Sequence, residues 1–396
     1  MITEDFLKNY TELISSGSTP KGGNKVYLKE GKILFFRGQN ILMNKFSDHD
    51  SVYISNEIHN RMKRTWVKKG DVLLVITGSI GRTAVYEGED YTANVNQHVC
   101  IIRLKDFNVI DPYYLSYYLA SPDMQRHIMR ISIGATRPAL NFSQIGKFKI
   151  PIPTIETQKK IVEILEKAEK LKEWRAEADE LADGYLKSVF LEMFGDINLN
   201  NKNWDIKKIS DIADVKTGGT PSRKINEYWE NGDVPWVKTT EVNGSIIKNA
   251  QEFITKEGLS NSNATLFPKD TILVAMYGQG KTRGKCGKLG IYATTNQACA
   301  AILPSNKYNT DYLWYFLDVS YENLRELGRG GNQPNLNLSM IKNFEVPIPP
   351  ITLQNQFAQI VQQIESLKTR QSQSKQEIDN LFNTLMQKAF KGELVC

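Results

Sequence analysis

This 396-residue chain is written twice. Gly17-Ser-Thr-Pro20 returns as Gly218-Gly-Thr-Pro221, and the segment 31–37, ending in Arg37, returns as 232–238, ending in Lys238. Asp71-Val-Leu-Leu-Val75 matches Asp270-Thr-Ile-Leu-Val274, and Asn96-Gln97 matches Asn296-Gln297. Pro138-Ala-Leu-Asn-Phe-Ser143 matches Pro334-Asn-Leu-Asn-Leu-Ser339. Ile150-Pro-Ile-Pro153 matches Val346-Pro-Ile-Pro349, each followed by a glutamine, Gln158 or Gln354, and a long run without proline. A period of roughly 200 residues is too long for a solenoid, so it implies two whole modules in the order A–B–A′–B′.

The A and B halves read differently. In A, short runs rich in Val, Ile and Phe (Ile33–Phe36, 72–76, Val99–Leu104) predict strands, and 115–120 and 124–131 predict short helices. A is thus a mixed α/β module with many loops, and loops on a rigid scaffold are the usual place for recognition residues. Pro-Ile-Pro predicts an extended entry to B, because proline restricts itself and its predecessor. Behind the second copy, Phe357, Ile360, Ile364, Leu367, Gln371, Ser374, Ile378, Leu381 and Leu385 keep a 3,4 spacing, a heptad seam with two polar positions at its middle. Ile164, Ala168, Leu171, Trp174, Ala178, Leu181, Tyr185 and Val189 form the first copy's version. Two amphipathic helices of about 60 Å are expected to bury their stripes against each other. An antiparallel coiled coil would then give a dumbbell with a pseudo-two-fold axis. The expected divisions are 1–150, 151–195, 196–350 and 351–396.

Charge is unevenly spread. Residues 1–150 hold 20 Lys and Arg against 14 Asp and Glu (+6), 151–195 hold 7 against 10 (−3), 196–350 hold 18 against 16 (+2), and 351–396 hold 5 against 4 (+1). Two mildly basic modules permit a polyanionic partner without proving one. An apolar fraction of 41% excludes wholesale disorder. No apolar run approaches a membrane span, and the first residues lack the basic and apolar regions of a signal peptide. Cys100, Cys286, Cys299 and Cys396 form no Cys-x-x-Cys pair, which suits a reducing cytoplasm.

Most catalytic patterns fail. Gly280-Lys-Thr282 resembles the end of a phosphate loop, but the glycine required five residues earlier is Ala275. His49, His59, His98 and His127 have no metal-ligand spacing, and no Gly-x-Ser-x-Gly elbow or methyltransferase tetrapeptide occurs. The candidate residues belong instead to binding. Tyr277–Lys288 mixes glycines with Lys281, Arg283 and Lys285; glycine lets backbone amides approach phosphate, and the cations neutralise it. Gln279 and Arg283 could reach adenine and guanine edges. A milder counterpart, 77–83, carries Arg82; a plain solvated turn is the alternative for both. A second loop pair holds Arg137 in the first module and Arg329 and Gln333 in the second. The Asn-Gln pairs precede buried-looking strands and read as structural.

Repeated modules ending in Pro-Ile-Pro, a glutamine, a heptad helix and an aromatic-plus-glycine tail (190–196; 389–394) resemble the specificity subunit of type I restriction-modification systems along the whole chain. That resemblance implies two target-recognition domains, each reading one half of a bipartite site in double-stranded DNA, with Arg37, Arg82, Arg137, Lys238, Gln279, Lys281, Arg283, Lys285, Arg329 and Gln333 as candidate contacts. It implies helices that set the spacer and dock two modification subunits, with Ile164, Leu171, Leu181, Phe357, Ile364, Leu367, Ile378 and Leu385 on the seam. Restriction subunits would join the larger complex, with no membrane involved. S-adenosylmethionine, ATP and magnesium are then expected in the partners, and neither a cofactor nor a catalytic residue in this chain. A stand-alone DNA-binding regulator is the other reading.

Overall fold

The computed structural model describes residues 3–132, 138–196, 199–278, 280–328 and 335–394. The chain is mixed α/β and divides into two compact units, Met1–Glu177 with Ser372–Cys396, and Ala178–Gln371. Each unit holds one A module and one half of each long helix, Ile155–Phe194 and Ile351–Lys391.

In the first unit, Thr3–Phe6 pairs antiparallel with Lys149–Ile152, so the module's two ends are zipped together with Glu4 opposite Pro151. Its main sheet runs Thr11–Ser16, Val99–Leu104, Val72–Val75, Thr83–Val85, all antiparallel. A smaller sheet sets Ile33–Phe36 between Tyr53–Ile54 and Ala93–Val95, the latter pair parallel. Alternation along the central strand serves two cores. Val72 and Leu74 join Leu115, Leu119, Met124 and Ile128 from the helices Pro112–Ala120 and Pro122–Ser132; Leu73 and Val75 face Phe36, Val95 and Ile101. A strand buried on both faces needs an unbroken apolar run, which is why the sequence there reads Val-Leu-Leu-Val.

The second unit repeats this plan. Asp205–Lys208 pairs with Glu345–Ile348, and Val215–Thr217, Cys299–Ile302, Ile272–Ala275 and Cys286–Leu289 form the main sheet, extended by Ile246–Ile247. Val234–Val237 lies between Glu252–Ile254 and Thr294–Thr295. Ile272 and Val274 face one core, Leu273 and Ala275 the other. Strand register corrects the sequence match by one residue: Val72 opposes Ile102 and Ile272 opposes Ile302, so Asp71 corresponds to Thr271 and not to Asp270. A one-residue slip exchanges the faces of a strand, so side chains that the sequence match aligns have different surroundings. Asp71 is buried in a paired salt bridge with Arg103 (2.7 and 2.8 Å), whereas Asp270 takes a left-handed turn conformation.

The glutamine after Pro-Ile-Pro fastens each helix to its module. Gln158 accepts a hydrogen bond from the Asp111 amide (2.9 Å) and donates to the carbonyls of Val109 and Pro153. Gln354 accepts from the Asn309 amide (2.8 Å) and donates to Pro349. Asp111 and Asn309 in turn cap the helices Pro112–Ala120 and Thr310–Val319. Tyr114 and Tyr312 donate to the carbonyls of the first proline of each junction, Pro151 and Pro347.

Within each unit the start of one long helix packs against the end of the other, an antiparallel pairing. Ile161, Val162 and Leu165 meet Met386 and Ala389 in the first unit; Leu186, Phe190 and Phe194 meet Phe357 and Val361 in the second. The seam itself differs from expectation. Phe357 is buried, and Ile164, Ile364, Ile378 and Leu385 are half-buried, but Leu171, Leu181 and Leu367 are exposed, along with Trp174 and Tyr185. On the first helix the buried stripe is Ile161, Leu165, Ala168, Ala182, Leu186 and Phe190. Both stripes keep helical spacing. Aromatic contacts at the ends, such as Phe194 with Tyr312 at 4.7 Å, rotate the helix onto the second. Gln371, the polar residue in the middle of the second seam, is buried. No helix among the described residues is long and apolar enough to cross a membrane, and none of their His, Cys, Asp and Glu side chains gather in a group that could hold a metal.

Candidate nucleic-acid interface

Each module gathers its loops at one corner, beyond the ends of the central strands. The first loop leaves Val75 and is closed where the Gly81 amide donates to the Val75 carbonyl; in the second module the Gly284 amide donates to Ala275. Both glycines have positive φ (91° and 84°), a conformation that side chains resist. Residues 76–80 fill the first loop and 276–283 the second, three more residues. Arg82 and Lys285 follow the two glycines at equivalent positions, and both are half-buried. The second loop ends beside it: the Leu140 amide donates to Ile76 and the Leu336 amide to Met276, both at 3.0 Å.

The Gly-x-Thr-Pro turn forms the third side. A Cβ at Gly17 would fall on the Val95 carbonyl, and one at Gly218 on that of Thr295, so both positions demand glycine. The threonine after each donates to the following module glutamine, Thr19 to Gln97 and Thr220 to Gln297 (2.6 Å). The Asn-Gln pairs thus divide their work. Asn96 and Asn296 are structural, Asn96 accepting from the His98 amide and Asn296 bonding Thr239, while Gln97 and Gln297 are exposed. In the first module, Thr19, Tyr27, Arg37, Thr77, Gln97 and His98 line one cleft of about 830 Å³.

Several candidate cations are already engaged. Arg37 donates to the Asp50 carbonyl and lies 5.9 Å from the Tyr27 ring centre. Lys238 sits 2.9 Å from Glu252, which also pairs with Arg223; the Lys238 contact first, and Arg223 with it, holds the Glu252 carboxyl below its ordinary range. Arg223 stacks 3.5 Å from the centre of Trp229 and 5.0 Å from that of Trp236. Arg283, expected at a base edge, is instead buried (9% exposed), its Nε without a hydrogen-bond partner. Lys281 is exposed and Lys285 half-buried. Gln279, Arg137, Arg329 and Gln333 lie outside the described residues. The sequence reading missed Gln97, Gln297 and the Arg223–tryptophan stack. The glutamines were visible as matched residues, but only their exposure separates them from the asparagines beside them.

Fold and loop placement define a duplicated recognition chain: two copies of one α/β module, each presenting loops from one corner and each fastened by a buried glutamine to the long helix that follows it. The family model described as "Type I restriction modification DNA specificity domain" matches residues 7–178 and 201–380. The MjaIX specificity subunit of Methanocaldococcus jannaschii is 32% identical over 180 residues, 43% of this chain and 40% of that one. The HindI specificity subunit of Haemophilus influenzae is 21% identical across 91% of this chain and 94% of its own. The fold matches that of the S subunit from M. genitalium with a TM-score of 0.61 at 17% identity, covering 98% of this chain and 96% of that one. This chain belongs to the type I restriction-modification DNA specificity family. Its matches to the MjaIX, EcoR124I/EcoR124II and EcoBI specificity subunits span 40%, 57% and 23% of their lengths.

Proposed function

We propose that this chain is the non-catalytic DNA-recognition subunit of a type I restriction-modification complex. Each module reads one half of a split site in double-stranded DNA, and the long helices set the spacing. The observation that carries this reading is the equivalent placement of the loops: in both modules a glycine-closed loop, the end of a second loop and a Gly-x-Thr-Pro turn with its exposed glutamine share one corner. Lys281, Arg82 and Lys285 suit phosphate contacts there, and Gln97 and Gln297 suit base edges. Leu171, Trp174, Leu181 and Tyr185, exposed along one helix, suit the docking of modification subunits, which would supply S-adenosylmethionine chemistry. Restriction subunits, with ATP and magnesium, would complete the complex.

The test is co-purification with the product of a neighbouring methyltransferase-like gene, followed by methylation of random DNA with S-adenosylmethionine. Adenine methylation at a split site, lost when either chain is omitted, is the expected result. A chain that ignores the enzyme and protects one sequence alone would be a regulator instead. Exchange of residues 1–150 should change one half-site only, and removing a heptad from both helices should shorten the spacer or abolish activity.

A further inference from the structure

In both modules the glycine-closed loop is held from the side by the helix that leads into the second loop. Gln125, on Pro122–Ser132, donates through Nε2 to the Gly81 carbonyl (2.8 Å) and to the Leu119 carbonyl (2.7 Å). In the second module, Tyr321 and Arg325 lie on Tyr321–Leu327. Tyr321 donates through its hydroxyl to the Lys281 carbonyl (2.7 Å), and Arg325 donates through Nη1 to the Gly280 carbonyl (3.0 Å). The glycines are matched to these partners: a Cβ on Gly81 would strike the Gln125 amide, and one on Gly284 would come within 2.9 Å of Arg325 Cγ. The longer loop has two tethers from the helix, the shorter loop one.

From this geometry we infer that Gln125 in the first module, and Tyr321 with Arg325 in the second, are positioning residues for DNA reading. They touch loop carbonyls, hold the first loop against the helix that enters the second, and so fix which way its side chains and amides point. Lys281, whose own carbonyl is tethered, is exposed at the tip, so the clasp holds the backbone and leaves the cation free to reach outward. Position matters because a recognition contact misplaced by even an ångström loses its discrimination. The inference rests on the DNA-reading function proposed above and adds to it the residues that determine the precision of each half-site.

The experiment uses the complex of the full chain with its modification subunits, and reads methylation across a random DNA library at several salt concentrations. Tyr321→Phe removes one hydroxyl while leaving the ring and every charge in place. It removes both the hydroxyl's bond to Lys281 and the one it accepts from Arg325, and should raise methylation of single-mismatch sites in the second module's half by roughly tenfold, with the other half and the salt slope unchanged. Gln125→Met should relax the opposite half alone. Arg325→Lys keeps the charge, and should relax the same half as Tyr321→Phe without restoring its precision. Unchanged mismatch profiles for Tyr321→Phe and Gln125→Met, with a selective wild type, would overturn the inference. So would a uniform fall at all sequences, because that is what general loss of folded module produces. A wild-type complex with no sequence preference would instead sink the DNA-reading function itself, and the clasp's role with it.

Discussion

The two modules share a fold but meet the long helices with different chemistry. In the first, Tyr117 donates to Glu169 of the first long helix (2.7 Å), and Tyr113 donates to Glu87 (2.8 Å). In the second, Asp311 stands where Tyr113 does, two residues after the helix cap, and Lys288 stands where Val85 does, opposite the central strand. Lys288 and Asp311 form a buried ion pair, joined by Gln362 of the second long helix through Asp311 Oδ2 (3.2 Å). A neutral hydroxyl and an apolar side chain have therefore been exchanged for two opposite charges at the same points of one scaffold. A buried pair is costly to desolvate and is repaid only when both partners stay. The second module is thus the more vulnerable to single substitutions there, and its helix contact has the stricter geometry.

The largest test of this contrast is Asp311→Ala, which leaves the buried Lys288 ammonium with only the looser contact to Asp270 at 3.9 Å. We expect the second unit to lose about 3–5 kcal/mol, read as a lower calorimetric melting transition. Lys288→Val with Asp311→Tyr imports the first module's residues and should recover most of that loss; a double variant no better than the single one would break the comparison. Gly17→Ala and Gly218→Ala, each of which drives a methyl into a backbone carbonyl, should cost their own unit about 3 kcal/mol, equally in the two modules. Gln158→Leu and Gln354→Leu leave buried amides and carbonyls unpaired, so each should cost about 2 kcal/mol in urea denaturation.

Charge removal separates the reading corners. Lys281→Ala with Lys285→Ala should flatten the dependence of log binding on log salt by about two, and Arg82→Ala by about one, in DNA binding by the assembled complex. An unchanged slope would remove those side chains from the phosphate path. Smallest is the response to acid. Burial raises the Glu169 carboxyl above its usual 4.5, and burial with neighbouring carboxylates raises Glu166. As pH falls through those raised values, the folded first unit takes up protons before the unfolded chain does, and gains stability. Glu252 is lowered instead, so its contribution to the second unit is present above 4.5 and disappears as pH falls through its folded value. Urea midpoints of Glu169→Gln and Glu252→Gln between about pH 7 and about pH 3 should lose these opposite slopes.

Much of this organisation was readable from residues alone. The duplication, the extended Pro-Ile-Pro junction with its glutamine, the apolar central strands and the two long helices all follow from local patterns, because proline geometry, strand alternation and helical spacing are properties of short segments. The loops were legible as candidates for the same reason: glycine clusters between strands mark turns wherever they occur. Tertiary structure decided what local pattern leaves degenerate. Two apolar stripes on the first long helix share one spacing, and only the aromatic side chains of the modules choose between them. The shift that pairs Asp71 with Thr271 comes from ladder register, which depends on a strand elsewhere in the chain. Whether a cation is free depends on neighbours distant in sequence: Glu252 engages Lys238, burial withdraws Arg283, and Lys281 stays exposed while its own carbonyl is held by Tyr321. Sequence determines which groups are available, and packing determines which of them meet water.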